Sequence, residues 1–204
     1  MSDLILCLDT RALEQRLPQG TTFRFDTHTD ALRDLTLTPA GRDARAYLPE
    51  GEALLLGSPY TPVGVWVLPH NGGQYLVDDS PARMLGHRRH IGVHHHRAAL
   101  TEMARGVATG LCYSEWEIGH GLAVDRLTYR GLYTPHPYRL DLLYTLDLTE
   151  QYTGGRARRE HYGWEDQLLR DQNVLLEVHT RDVAQRLIDG HPGLPKLNPA
   201  PRRY

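Results

Sequence analysis

The segment from Arg83 to Arg97 concentrates residues that bind metals or phosphates. Within fifteen residues it holds five of the twelve histidines and four arginines, in a chain of 204 residues with a formal net charge of −2. Arginine forms forked hydrogen bonds to phosphate, and histidine adds hydrogen bonds and, in mild acid, charge. The segment therefore predicts a phosphate contact, with a metal site and a solvated surface strip as the alternatives. The residues predicted to contact nucleic acid here are Arg83, His87, Arg88, Arg89, His94 and Arg97.

A metal site would use histidines of the same segment. On a helix, His90 and His94 would lie one turn apart and could grip zinc, with His120 as a further ligand. Gly92 lies between His90 and His94 and weakens a continuous helix there. This spacing favours the phosphate interpretation, and it leaves His90, His94 and His120 as the candidate metal ligands.

A second set of residues could support metal-dependent hydrolysis. Asp141 lies in a predicted strand, and Glu177 and His179 lie in the later strand-like run Leu-Leu-Glu-Val-His. Two carboxylates on neighbouring strands can hold one Mg²⁺ that activates water. The alternative is that Glu177 is an ordinary carboxylate at the end of a strand. These residues predict a hydrolase or nuclease as the rival to a binding protein, with Zn or Mg as the divalent metal.

Composition narrows the class of protein. The apolar fraction of 40% and the charged fraction of 24% are those of a globular protein. Only Lys196 among the 23 basic residues is a lysine, which argues against enzymes that need a placed catalytic lysine. Cys7 and Cys112 each lie among apolar residues and predict buried free thiols. We expect a cytoplasmic protein without a membrane partner; its oligomeric state stays open.

The pattern of apolar residues predicts the elements that position these groups. A strand over 3–8 leads into a helix capped by Thr10, and the run Val63–Val77 around Asn71-Gly72-Gly73 predicts a hairpin. Short helices are predicted up to Gly86 and over 97–107. Residues 124–133 predict a strand, and 139–149 a longer one with alternating residues and one solvent-facing side.

These elements predict an α+β fold with an antiparallel sheet in the C-terminal half and flanking helices. Three regions are expected: an N-terminal α+β region with the hairpin (1–90), a C-terminal α+β region (91–190) and a proline-rich tail (191–204). A basic, glycine-containing loop contributes three further arginines that are predicted to contact nucleic acid, Arg156, Arg158 and Arg159.

From Trp66 to about His179 the order of features resembles the plasmid replication-relaxation group of DNA-binding proteins. The resemblance is carried by the hairpin, by Tyr75–Gly86 after it, by His94-His95 before a helix, by Trp116-Glu117, and by Asp141 with the Glu-Val-His run. It covers about half of the chain. It implies a winged helix followed by a degenerate nuclease-like domain, with the hairpin as the wing.

The resulting functional prediction is DNA binding, in replication or regulation of a mobile element. The metal-dependent hydrolase is the first alternative. An interaction or virion protein is the second, because eleven tyrosines against two phenylalanines would suit a partner surface.

Overall fold

The structure is a computed structural model that describes residues 4–16, 23–24, 44–55, 57–71, 74–78, 84–93, 100–136, 139–148, 162–164, 180 and 183. In these ranges the helices are α1 (Thr10–Arg16), α2 (Glu50–Ala53), α3 (Leu100–Trp116) and α4 (His120–Arg126). The strands are β1 (Leu4–Asp9), β2 (Phe23–Arg24), β3 (Arg45–Pro49), β4 (Tyr60–Asn71), β5 (Gln74–Asp78), β6 (Met84–Leu85), β7 (His87–His90), β8 (Leu127–His136), β9 (Arg139–Asp147) and β10 (Tyr162–Trp164). The predicted α+β class is confirmed.

The described strands belong to one sheet. Its main order is β10-β5-β4-β9-β8-β2, with β1 and β7 also paired to β4, β3 to β1, and β6 to β5. The pairs β1–β3, β1–β4, β4–β5, β5–β6, β5–β10 and β2–β8 are antiparallel. An antiparallel sheet was expected in the C-terminal half, with a hairpin in the N-terminal half; β1 to β5 belong to the same sheet, in which β4 takes an interior position.

The first strand and helix form as the apolar run predicts. Leu6, Cys7 and Leu8 are fully buried in β1, and α1 follows directly. The capping side chain differs from the prediction, since Asp9 Oδ1 accepts a hydrogen bond of 2.8 Å from the backbone N–H of Ala12. The hydroxyl of Thr10 instead lies 2.9 Å from that of Thr61.

The predicted hairpin is confirmed. Strands β4 and β5 pair with His70 opposite Tyr75 and Asn71 opposite Gln74, as expected of a hairpin around this sequence. Strand β4 is buried from Thr61 to Pro69. Its role as the wing of a winged helix stays a prediction.

The prediction of a short helix up to Gly86 is wrong for residues 84–86, the part of it that the structure describes. Met84 and Leu85 form β6 and pair with Asp78 and Val77 of β5. Gly86 then has a φ of 66°, a left-handed conformation that glycine adopts without steric cost, and β7 begins at the next residue. The apolar pair Met84-Leu85 therefore extends the sheet.

The alternating strand is observed as β9, but the expected solvent-facing side is wrong. Leu140, Leu142 and Leu146 are buried as predicted, and Asp141 and Thr145 on the other side are buried too. Asp141 on this side is bonded to the side chains of Arg88 and Arg139, which cover it in place of solvent. A polar group buried there must find a partner within the protein.

Helix α3 runs nine residues beyond the predicted end at 107, and it ends at a strained residue. Glu117 has a φ of 56°, and its N–H donates to Tyr113 O, while Ile118 N–H donates to Cys112 O. Helix α4 then occupies 120–126, so that β8 begins later than the predicted strand at 124. The exposed Glu117 side chain gains no evident burial from this conformation.

Substitution Glu117→Gly should stabilise the protein. A residue with a Cβ costs about 1 kcal/mol in the left-handed region, and glycine removes that cost while keeping the helix end. We expect a higher urea midpoint at an unchanged m-value. Substitution Glu117→Ala is the control: it removes the same carboxylate but retains the Cβ, so a similar gain from alanine would contradict the backbone explanation.

Contacts between Cα atoms divide the chain into two compact units. Unit 1 comprises Met1–Trp66, Arg88–Ala108 and Tyr129–Tyr144, and its core includes Leu6, Leu8 and Trp66. Unit 2 comprises Val67–His87, Thr109–Thr128 and Thr145–Tyr204, with Tyr75 and Trp116 in its core. The predicted boundaries near 90 and 190 stay predictions.

Two further expectations concern cysteine and membranes. Cys7 and Cys112 are buried free thiols, and burial raises their pKa to about 11 and about 12, as expected for unreactive cysteines. None of the described helices is long and apolar enough to cross a membrane.

Candidate functional site

The most developed polar arrangement in unit 1 is centred on Asp141, which is completely buried. Its Oδ1 accepts a hydrogen bond of 2.6 Å from Arg88 Nε, and its Oδ2 accepts one of 2.5 Å from Arg139 Nε. The arginine side chains are 17% and 14% exposed. A buried carboxylate is tolerable only when such charged donors satisfy it. We call Glu50, Arg88, His90, Arg139 and Asp141 the charge cluster.

The hydrogen bonds of the charge cluster fix the state of His90. Its Nε2 lies 2.8 Å from Arg88 Nη1, and its Nδ1 lies 3.1 Å from Glu50 Oε1. Because a guanidinium can only donate, Nε2 must accept, and Nδ1 must carry the proton that it donates to Glu50. The ring is therefore neutral, and both of its nitrogens are engaged.

Aromatic rings hold the other arginine. The guanidinium carbon of Arg139 lies 5.1 Å from the ring centre of Trp66 and 5.6 Å from that of Tyr133. The two rings pack edge to face with centres 5.8 Å apart, and both are fully buried. Cation–π contacts of this kind add to the ion pair and restrict the side chain.

Gly64 of β4 provides the space for these side chains. A Cβ on Gly64 would lie 2.5 Å from Asp141 Oδ1 and 2.8 Å from Arg88 Nη2. Glycine within a strand commonly marks a close approach of this sort. The cluster therefore depends on a backbone position as well as on charges.

Burial lowers the pKa of His90, and the positive charge of Arg88 lowers it further, against opposing effects of Glu50 and Asp141. The unfolded chain then binds more protons than the folded one below the ordinary histidine pKa of about 6.5. The contribution of neutral His90 to the free energy of unfolding is complete above that pH. It is lost as the pH falls towards the lower pKa that His90 has in the folded state.

We expect the melting temperature to fall between pH 7.5 and 5.5 and the fall to be smaller in His90→Gln. The glutamine amide can still accept and donate, but it does not titrate. Scanning calorimetry of both proteins across this range measures the difference. Parallel curves for the two proteins would show that the ionisation of His90 does not contribute.

The predicted phosphate-contacting residues occupy different positions. Arg88 faces the charge cluster, and Arg89 next to it on β7 is exposed. In unit 2 the ring of His87 lies edge-on to Trp116, with centres 5.4 Å apart, and His87 Nδ1 lies 3.7 Å from Glu115 Oε2. The remaining predicted contacts lie outside the described residues: Arg83, His94, Arg97, Arg156, Arg158 and Arg159.

The predicted metal and catalytic residues are likewise only partly described. His90 belongs to the charge cluster, and His120 begins α4. His94, Glu177 and His179 lie outside the described residues. Of the proposed catalytic set, Asp141 alone is described, and each of its oxygens accepts from a guanidinium. The catalytic and metal assignments stay predictions.

The described residues offer few free ligands for a metal ion. Among the described ranges there is no group of three or more histidine, cysteine, aspartate or glutamate side chains placed to hold an ion. The carboxylate oxygens of Asp141 and the nitrogens of His90 are already hydrogen-bonded within the charge cluster. The described residues thus do not fit a metal centre of the usual three or four ligands.

Unit 1 also contains an open cavity of about 510 Å³ beside α1. It is lined by Asp9, Thr10, Arg11, Glu14, Gly57, Ser58 and Pro59. Its size is in the range of small-molecule sites. Arg11 and Glu14 are exposed. Asp9 accepts a hydrogen bond from the backbone N–H of Ala12, and Ser58 accepts one from that of Tyr60. The cavity thus combines fixed polar walls with two charged side chains that face solvent.

The sequence interpretation missed Glu50 and Arg139 as members of the charge cluster, and Gly64 and Trp66 as residues beside it. One signal was available, because Arg139 and Asp141 are two apart in a strand and so share a face. No local signal connects Arg88 with Asp141, since 53 positions separate them.

Comparison with known proteins identifies solved structures of similar fold. No family model matches the chain, and no curated protein matches it. A crystal structure entitled "Crystal structure of Tm1382, a putative Nudix hydrolase" superposes with a TM-score of 0.69 at 15% sequence identity. The match covers 92% of this chain and 99% of that chain. At this identity the likeness shows a shared fold.

Proposed function

We propose that the protein is a hydrolase that binds a small polar substrate in the cavity beside α1. The observation that carries the proposal is the fold, which matches over nearly the whole of both chains the structure of Tm1382, described as a putative Nudix hydrolase. The metal-dependent hydrolase considered from the sequence belongs to the same class. The reacting groups are placed in the cavity and not at Asp141, because each oxygen of Asp141 accepts from a guanidinium.

The cavity offers the groups that hydrolysis needs. Glu14 is a solvent-exposed carboxylate that can accept a proton from an attacking water. Arg11 can stabilise negative charge on the substrate oxygen as the bond breaks. Asp9 is held by the backbone of α1 and shapes the wall. The described residues do not supply three metal ligands, so no step is assigned to a metal ion.

The test is hydrolysis by the purified, untagged full chain of a panel of ester, amide and phosphoanhydride model substrates. Each is assayed with EDTA and with Mg²⁺, which determines whether a cation assists. Removal of a general base typically costs about 10²–10⁴-fold in rate, so Glu14→Gln should lose that much of kcat/KM. Glu52→Gln, on the exposed surface of α2, is the matched control and should retain full activity. Absence of turnover above buffer, or equal rates in the two variants, rejects the proposal.

Nucleic-acid binding remains a second candidate, favoured by one observation. Arg89 is exposed on β7, beside the buried-facing Arg88, and so is placed to reach a phosphate. Filter binding of DNA at two salt concentrations tests this candidate. Arg89→Ala should weaken binding to all sequences alike and reduce the salt slope by about one unit. No binding at low salt excludes it.

A further inference from the structure

The cavity beside α1 carries more negative than positive charge. The described residues that line it include two carboxylates, Asp9 and Glu14, and one guanidinium, Arg11, which leaves a formal charge of −1 at neutral pH. A phosphate group in the cavity would meet two like charges for each opposite one. The charge of the cavity therefore favours a substrate with a cationic group over a phosphorylated substrate.

These charged groups are available to a ligand. Asp9 Oδ1 accepts the hydrogen bond from Ala12 N–H, and no described residue bonds to its second oxygen, Oδ2. Within the same part of the chain, the exposed side chains of Arg11 and Glu14 form no ion pair or hydrogen bond. A ligand thus meets one guanidinium and two carboxylates without first displacing protein partners from them.

Asp9 is the carboxylate better suited to hold a cation. Its backbone N–H donates to Ala44 O at 2.7 Å, and its side chain is fixed by the bond of 2.8 Å from Ala12 N–H. A group that is already oriented loses little conformational entropy on binding. Glu14, which is exposed, then stays available as the base that accepts a proton from water.

The donor set suits an organic ammonium group better than a divalent metal. Mg²⁺ requires near-octahedral coordination by oxygen, and the described residues contain no group of three or more ligand side chains. An ammonium group carries up to three donors and is satisfied by a carboxylate together with water. The open cavity of about 510 Å³ has room for the remainder of a small organic molecule.

We propose that the substrate is an ester or amide whose acyl part bears an ammonium group, and that Asp9 binds this group and so determines specificity. The inference rests on the proposed hydrolase function. Water adds to the carbonyl carbon while Glu14 accepts one of its protons, and Arg11 faces the negative charge that forms on the carbonyl oxygen. The bond to the alcohol or amine then breaks, and this leaving group takes the proton from Glu14.

The first experiment measures binding apart from turnover, by NMR of the backbone amide of Ala12 in the untagged full chain. The probes are 2-aminopropan-1-ol hydrochloride with EDTA, its neutral analogue propane-1,2-diol, and MgCl₂ without EDTA, all at equal ionic strength. We expect saturable shifts with the amine and none with the diol. Equal shifts with amine and diol, or shifts with Mg²⁺ but not with the amine, would overturn the proposal.

Asp9→Asn separates the charge of Asp9 from its structural role. Asparagine caps a helix as well as aspartate does, so the variant should keep the helix start while losing the charge. Because charge-assisted hydrogen bonds are about twice as strong as neutral ones, amine binding should weaken by about tenfold or more. Glu52→Gln, exposed on α2, is the matched control and should bind like the wild type.

Equal affinity in the two variants contradicts the assignment of Asp9. If Asp9→Asn does not fold, the titration of the wild type still decides between amine and diol. Hydrolysis of alanine 4-nitroanilide is then compared with that of its N-acetyl derivative, and the free amine should be preferred. Equal rates reject the amine inference and leave the hydrolase standing, whereas amine binding without turnover of any substrate rejects the hydrolase.

Discussion

Replacement of Asp141 by alanine is expected to lower the free energy of unfolding by about 3–5 kcal/mol, the usual cost of removing one partner from a buried ion pair. The carboxylate is completely buried and is bonded to Arg88 and Arg139. Without it, Arg88 and Arg139 each lose a charged hydrogen-bond partner at a mostly buried position. The loss of these bonds destabilises the folded state.

Urea denaturation followed by circular dichroism measures this effect. Asp125→Ala is the matched control, since Asp125 is exposed on α4 and should change stability by no more than about 0.5 kcal/mol. Asp141→Asn keeps the shape and removes the charge, so it should also be strongly destabilising. A loss in Asp141→Ala as small as that in Asp125→Ala would show that the cluster contributes nothing to stability.

The second large effect is expected from Gly86→Ala. Gly86 has a φ of 66°, and a Cβ there would lie 2.0 Å from the carbonyl oxygen of Val67. Left-handed strain costs about 1–2 kcal/mol and overpacking about 1–3 kcal/mol, so we expect a loss of about 2–5 kcal/mol. The contact is with backbone, so rotation of a side chain cannot relieve it.

Gly110→Ala provides the control for Gly86→Ala. Gly110 lies within α3, and nothing is within 4 Å of the Cβ that alanine would add. The substitution should stabilise the protein by about 0.5–1 kcal/mol, because glycine is a poor helix former. The melting temperature should therefore fall in Gly86→Ala and rise in Gly110→Ala. A neutral Gly86→Ala would contradict the close approach of β4 to residue 86.

Much of the local structure could be predicted from the apolar pattern. The run Leu-Ile-Leu-Cys-Leu predicted a strand, which is observed as β1. The alternation after Arg139 predicted another, which is observed as β9. The Asn-Gly-Gly sequence predicted a hairpin, and strands β4 and β5 pair as expected. These signals act through backbone geometry and short-range burial, and so they are present in any fold that contains the segment.

The prediction failed where the outcome depended on the neighbours of an element. Met84 and Leu85 lie in a strand because β5 is available to pair with them. Asp141, on the polar side of β9, is buried because Arg88 of another strand and Arg139 bond to it. Pairing and packing between elements leave no periodic signal within the sequence of one element.

The arginine–histidine segment shows the same division. Its composition alone determined that positive charge and imidazole would occur together. Gly92 predicted that no helix would run through His90, and His90 is indeed the last residue of strand β7. Only the tertiary structure decided that Arg88 turns inward and Arg89 outward, because successive side chains of a strand point to opposite faces. The buried carboxylate of Asp141, 53 positions away, bonds Arg88 and so determines that the face of β7 with Arg88 is the inner one.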